Sequence, residues 1–299
     1  MKKVLVTGSS GMLGGDLCLK LAGDYKVIGF DIKQALSPVE ENFEFLKVDL
    51  TNKTKLQKKI EIVRPDFIIH AAAYTDVDGC ELNPEKAYLC NSDVTKSIAQ
   101  ICKDRGVGLV FISTDFVFDG RKNAAYKETD RPNPLSVYGK SKLKAEQNIR
   151  EICNNFYIFR SAWLFGKWGK NFVRTIIEKA KDGQNLRVVN DQRGCPTYTR
   201  DLSFALYKFV HIVLESGDCE SGVFHVVNSG SCSWYEFAKA ILREIKAEIK
   251  IEPISSGQLT RPAPRPAWSV LDCNKFEGLM DLKLRPWREA LSDYINRNF

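Results

Sequence analysis

Long apolar runs are missing from this 299-residue chain; no stretch approaches the roughly 20 residues that a membrane-crossing helix needs. Histidine is scarce, with three residues far apart, and no two cysteines stand at C-x-x-C spacing, so no metal-ligand signature forms. The nine cysteines are odd in number and scattered from Cys18 to Cys273, which argues against the disulfide framework of a small secreted domain. A basic block is absent as well. The 44 Lys and Arg residues outnumber 37 Asp and Glu by seven, but the two signs are interspersed along the chain. That dispersed balance points away from nucleic acid and suits capture of a small anionic ligand. After Met1-Lys2-Lys3 the apolar run Val4–Val6 stops at Thr7 and Gly8, too soon for an export signal. These absences predict a cytoplasmic protein that binds neither membrane nor nucleic acid.

What is present is an alternation. Lys3–Thr7, Lys26–Asp31, Phe43–Val48, Asp66–His70, Leu109–Ser113 and Phe156–Arg160 are short and rich in Val, Ile, Leu or Phe. Helix-like stretches lie between several of them, at Met12–Leu21, Pro84–Lys103 and Tyr138–Ile152. Strands buried on both faces read as continuous apolar runs, and their alternation with helices predicts a Rossmann-type α/β fold with a doubly wound parallel sheet. After Ser161 the pattern loosens and Gly, Pro and aromatics increase, so a smaller C-terminal α/β substrate lobe is expected. The expected division gives residues 1–161 to a dinucleotide-binding domain, with a return of the chain at about 186–228. The substrate lobe takes 162–185 and 229–299.

Val4-Leu5-Val6-Thr7-Gly8-Ser9-Ser10-Gly11-Met12-Leu13-Gly14 reads as a strand, a glycine turn and a helix start, with G-x-x-G-x-x-G spacing. Glycines let the backbone approach a pyrophosphate, and a helix N-terminus presents free N–H groups to it. A structural turn without ligand is the alternative; position between a strand and a helix disfavours it. Gly8, Ser10, Gly11, Met12, Leu13 and Gly14 are therefore candidate coenzyme contacts. Asp31 closes the second strand about 20 residues on, where an acid bonds the adenosine ribose. Asp31 favours NADH, Ile32 beside it is a further candidate coenzyme contact, and Lys33 leaves room for NADPH. Asp49-Leu50 stands where an acid meets adenine, or else leads into a helix capped by Thr51 or Asn52. Ala71-Ala72-Ala73 allows close approach of a dinucleotide, or tight helix–sheet packing.

Ser113-Thr114-Asp115 ends the fifth strand, the edge at which ligands bind in open α/β sheets. Tyr138 and Lys142 follow at i,i+4, one helical face. A neighbouring ammonium lowers a phenol's pKa toward working pH, which general acid–base chemistry needs. Thr114 adds a hydroxyl to hold a substrate carbonyl. Thr114, Tyr138 and Lys142 are thus the candidate catalytic residues of a nicotinamide-dependent oxidoreductase, with Tyr138 and Lys142 also facing the coenzyme.

The glycine loop, the strand-end Ser/Thr and Y-x-x-x-K resemble the extended short-chain dehydrogenase/reductases. Within them the chain is most similar to the dTDP-4-dehydrorhamnose reductase family. The similarity is carried by Ala71–Asp78, Ser113–Gly120 and Tyr138–Leu143, then by Trp163–Gly166, Asn171–Val173, Asp191–Thr197, Ser233–Ala238 and Arg265–Ser269. It implies that NADH or NADPH delivers hydride to C4 of a dTDP-linked 4-keto-6-deoxyhexose, while Tyr138 protonates the alkoxide. Lys142 would hold the nicotinamide ribose. The resemblance adds Asn91 to the coenzyme set, and Thr75, Val77, Asp115 and Val117 to a substrate set that includes Thr114 and Tyr138. Trp163 lines the sugar pocket or fills a core; Asn171 meets the diphosphate or caps a helix; Arg265 contacts phosphate or base, or pins a loop. Phe116, Ala162 and Gly79-Cys80 depart from the family pattern, none at the catalytic three. Magnesium is left open, and a homodimer is allowed. Two alternatives stand beside this reading: another nucleotide-sugar reductase or epimerase, and a regulatory subunit resembling those of methionine adenosyltransferase.

Overall fold

The computed structural model describes residues 1–33, 41–217 and 219–299. The first strands are β1 Lys3–Thr7, β2 Lys26–Asp31, β3 Phe43–Lys47, β4 Phe67–His70, β5 Gly108–Thr114 and β6 Phe156–Ser161. Shorter ones follow: β7 Leu164–Phe165, β8 Leu186–Val189, β9 Arg193–Gly194 and β10 Thr197–Tyr198. The last are β11 Gly222–His225, β12 Cys232–Ser233 and β13 Ile251–Ile254. Seven of them form one sheet in the order β11-β6-β5-β4-β1-β2-β3, every neighbouring pair parallel. The order reverses between β1 and β4, and that switch point opens a crevice at the strands' carboxyl ends.

Residues along each strand alternate between two covers, as a two-residue period requires. Val4 and Val6 face a layer made by α1 (Met12–Leu21) and, from later in the chain, Thr199–Ser216. Leu5, Ile28 and Phe30 face the other layer, where Leu56, Ile60 and Val63 of α2 (Lys53–Val63) pack. Two short helices follow, α3 Val77–Leu82 and α4 Pro84–Tyr88, then α5 Val94–Arg105 and α6 Val137–Ile152. Ile98 of α5 and Ile149 of α6 complete the second cover. Each such side chain, fully buried, contributes about 1.5–3 kcal/mol. The helix expected over Pro84–Lys103 is interrupted at Leu89–Asp93 by one π-helical turn, the wider turn in which Asn91 and Ser92 are buried.

The remaining helices are α7 Phe172–Lys181, α8 Thr199–Ser216, α9 Trp234–Glu244, α10 Asn274–Met280 and α11 Trp287–Asn298. A third core gathers Ile176 and Ile177 of α7, Phe237 and Ile241 of α9, and Trp287 and Tyr294 of α11. Within 186–228 the chain first makes a separate pair and then meets the main sheet. Leu186–Val189 pairs in parallel with Ile251–Ile254 and packs in the third core; the chain rejoins the sheet through α8 and β11. Its Leu-Arg-Val-Val pattern, buried-exposed-buried-buried, serves a two-stranded edge as well as a central strand. α10 returns too, since Phe276 lies in the core of the sheet's first face. Among the described residues, no helix is long and apolar enough to cross a membrane.

Candidate active site

The turn after β1 is built for close approach. Gly8 has φ +70°, and a Cβ there would stand 2.7 Å from the backbone of Ala72. The Gly11 N–H closes the turn on the Gly8 carbonyl at 2.9 Å, and a side chain on Gly14 would overlap that same carbonyl. Gly11 is the N-cap of α1 and offers no side-chain cap, so the first-turn N–H groups are left for an anion. These features fit a dinucleotide's pyrophosphate.

Asp31 ends β2, and its carboxylate accepts from the Ser10 N–H at 3.0 Å and the Ile32 N–H at 2.7 Å. The Ser10 hydroxyl in turn donates to the Lys33 carbonyl. Strand end and glycine turn are thereby tied together. Asp31 and Ile32 line the cavity above them; Ser10 and Lys33 sit behind this tie and do not line it. Asp49 and Leu50 line it as well, Asp49 accepting from the Thr51 backbone and hydroxyl, while Asn52 caps α2 through Lys55 N–H.

The cavity measures about 810 Å³ and runs from the glycine turn past Ala71, Ala72 and Ala73 to Thr114, Tyr138 and Lys142. Thr75, Val77, Asp115 and Trp163 line its far end. Asn91 stands behind the wall instead. Its amide accepts from Tyr74 N–H at 2.7 Å and donates to the Tyr74 carbonyl and to the Ser141 hydroxyl, so both of its donors are used internally. Val117 is fully buried beside Phe118 and Ala162 in a small satellite core. Asn171 caps α7, accepting from Arg174 N–H and donating to the Gly166 carbonyl and Tyr294 hydroxyl. Arg265 makes a two-pronged ion pair with Asp78 at 3.0 and 2.8 Å, strapping its Pro-rich loop onto α3. For Asn171 and Arg265 the structural alternatives are the ones whose contacts are present.

α6 carries Tyr138 and Lys142, the candidate catalytic pair. Ser136 caps it through Gly139 N–H at 3.2 Å, and Gly139 packs so closely on the Phe116 carbonyl that no side chain would fit. Tyr138 therefore points at the end of β5, its ring edge-to-face with Phe116. Burial raises the phenol's pKa above its ordinary value; the Thr114 hydroxyl opposes that rise and the Asp115 carboxyl adds to it. Lys142 is buried one turn further on. Its Nζ donates to the Ile112 carbonyl at 2.7 Å and lies 4.0 Å from the Phe111 ring centre. Burial pushes its pKa down to about 7, while the charge of Glu146 pulls it up. The expected tuning thus differs from the geometry: Lys142 is engaged by a carbonyl, and Tyr138 is a phenol that keeps its proton at neutral pH. Such a phenol suits donation to an alkoxide, a far stronger base.

Thr114 donates to Asp115 Oδ1 at 3.1 Å and accepts from Phe116 N–H. The other Asp115 oxygen is buried without a partner, and burial raises the carboxyl's pKa to about 6, against hydroxyl contacts from Ser269 and Thr114. Ser161 was not foreseen. It lies in register with Thr114 on the adjacent strand, lines the cavity, and its buried hydroxyl has no partner. Pairing β5 with β6 in parallel from the sequence would have placed it there. Trp234, also unforeseen, lines the far end against Trp163.

Comparison with known proteins bears on this site. The family model described as the RmlD substrate binding domain matches residues 1–299. The spore coat polysaccharide biosynthesis protein SpsK of Bacillus subtilis is 39% identical over 298 residues, covering 99% of this chain and 97% of that protein. A dTDP-4-dehydrorhamnose reductase of Aggregatibacter actinomycetemcomitans is 35% identical, with 98% of each chain covered. The crystal structure of dTDP-4-dehydrorhamnose reductase from Bacillus anthracis in complex with NADP superposes with a TM-score of 0.90. It is 36% identical and covers 99% of this chain and 100% of that one.

Proposed function

The chain belongs to the RmlD substrate-binding-domain family, and from that premise we propose that it reduces the C4 keto group of dTDP-4-dehydro-L-rhamnose to give dTDP-L-rhamnose. The observation that carries this reading is a single cavity with a glycine turn at one end and Thr114, Tyr138 and Lys142 at the other. A reduced nicotinamide, NADH or NADPH, would supply the hydride when bound. Gly8, Gly11 and the first turn of α1 would hold its pyrophosphate, and Asp31 would meet the adenosine ribose. Thr114 orients the sugar carbonyl, and Tyr138 passes its phenolic proton to the oxygen that becomes the hydroxyl. Lys142 would hold a ribose hydroxyl and, below about pH 7, bring a positive charge to the catalytic end of the cavity.

The proposal extends to the division of the chain. The main sheet with α8 and β11 takes the coenzyme, and the third core with the loops around it takes the sugar. A cytoplasmic location and a homodimer belong to the same proposal, tested by fractionation and by sedimentation. The decisive experiment supplies dTDP-4-keto-6-deoxy-L-lyxo-hexose with NADH or NADPH and follows loss of reduced-nicotinamide absorbance. Turnover is expected with one or both coenzymes. Turnover of a UDP- or GDP-linked ketosugar in its place would overturn the substrate; no turnover of any would overturn the enzyme.

A further inference from the structure

The structure assigns a positioning role to Trp234 and Gly194: together they hold Trp163 in a left-handed backbone conformation, so that its indole stands as a preset wall of the sugar end of the cavity. This rests on reading that cavity as a nucleotide-sugar site. Five non-glycine residues among those described have positive φ. Arg64, Asn123, Lys246 and Asp281 are exposed, and Arg64 and Asp281 end helices, where such backbone is ordinary. Trp163, at φ +47°, is neither exposed nor at a helix end, and it is a bulky aromatic. Backbone of that kind persists only where the surroundings over-determine it.

Three contacts do so. The Trp234 ring stacks on Trp163 with centroids 3.5 Å apart and planes 6° from parallel. A Cβ on Gly194 would stand 2.5 Å from Trp163 Cε2, so only glycine leaves room for the indole there. The Trp163 carbonyl accepts from Thr197 N–H at 3.1 Å. Gly194 and Trp234 are themselves presented together: β9 pairs antiparallel with β12, placing Gly194 opposite Cys232, two residues before Trp234. Ser233 and Glu236 form a capping box that fixes the first turn of α9, and Arg193 bonds Glu236 at 3.0 Å. Phe172 tilts against the outer ring at 4.6 Å. The result is a two-indole slab lining the same cavity as Thr114 and Tyr138, a flat apolar surface for the C–H face of a hexose ring.

The test uses the full-length protein with NADPH and dTDP-4-keto-6-deoxy-L-lyxo-hexose. Gly194 does not line the cavity, so G194A separates positioning from contact. G194A and W234L are each expected to raise KM for the sugar nucleotide at least tenfold, with kcat within about threefold and NADPH affinity unchanged. W234F, which can still stack, recovers most of the lost affinity. Far-ultraviolet circular dichroism of the ligand-free protein, compared as difference spectra, reads the stack directly: the exciton couplet of the two indoles, present in the wild type, shrinks in G194A and vanishes in W234L. A G194A protein that keeps the full couplet, or loses it at wild-type KM, overturns the assignment. If the wild type fails to turn over the dTDP-sugar, the substrate reading falls, while the couplet in G194A still decides the positioning role.

Discussion

Glu146 and Arg160 face each other across the back of α6 with neither side chain exposed to water. Arg160 donates Nε and Nη2 to the two Glu146 oxygens at 2.9 and 2.6 Å, and the Ser113 hydroxyl completes the carboxylate at 2.6 Å. The remaining Arg160 Nη1 faces His225 on β11. Breaking one side strands the other charge in the core. Glu146→Gln is therefore expected to cost about 3–5 kcal/mol in urea unfolding, and replacing both residues by apolar ones about the same or less. A double variant much less stable than either single would contradict this.

Tyr138→Phe keeps the ring against Phe116 and removes the transferable proton. Turnover should fall by about 10²–10⁴ while NADPH affinity stays within about twofold, since the phenol acts in the transition state. Equal losses in both would point to a binding role.

The proposed contact of Lys142 with the coenzyme carries a pH dependence. Its folded pKa is pushed down to about 7, so the ammonium is present below that pH and lost above it. NADPH affinity measured by titration should weaken as pH rises from 6 to 8, and Lys142→Met should be weak and flat across the same range. The stability sign is opposite. Between about 7 and 10.5 the unfolded chain binds more protons at this residue, so its burial penalty is relieved as pH rises.

Asp115 shows the reverse linkage. A carboxyl raised from 3.8 to about 6 contributes stability at low pH that is lost as pH climbs through about 6. Asp115→Asn should leave the thermal midpoint near the wild-type value at pH 4 and raise it by several degrees at pH 8. A uniform shift at both pH values would show that the charge is not what matters.

Gly8→Ala combines a positive φ with a Cβ 2.7 Å from Ala72. The expected outcome is loss of NADPH binding by calorimetry, with a lowered thermal midpoint in the absence of ligand.

Much of this was legible in the chain itself, for identifiable reasons. β1, β4 and β5 are buried on both faces, so their apolar runs admit few other readings, and the glycine turn announces itself by spacing. Thr114, Tyr138 and Lys142 fall into one cavity because strand ends and the first turn of the following helix are neighbours in any such sheet. Asn171 and Arg265 were ambiguous because a helix cap, an ion pair and a phosphate contact ask for the same side chains; only Arg174 N–H and Asp78, supplied by the fold, decide what those groups touch. Ser161 depends on the register of β6 with β5, and Trp234 on a pairing between two-residue strands, neither of which has a local signature. The low pKa of Lys142 is likewise a property of burial, not of Y-x-x-x-K spacing.

The seventh strand has a consequence for how such a molecule can change. β11 closes the sheet beside β6, yet the chain reaches it only after building much of the proposed sugar end, including the Trp163 turn and β9. Cutting after Ser161 would leave β6 as a bare, apolar edge open to intermolecular pairing. A different sugar specificity therefore cannot be acquired by exchanging the C-terminal half wholesale. It has to be written between β6 and β11 and after β11 together, residue by residue, on a scaffold whose two ends are threaded through each other.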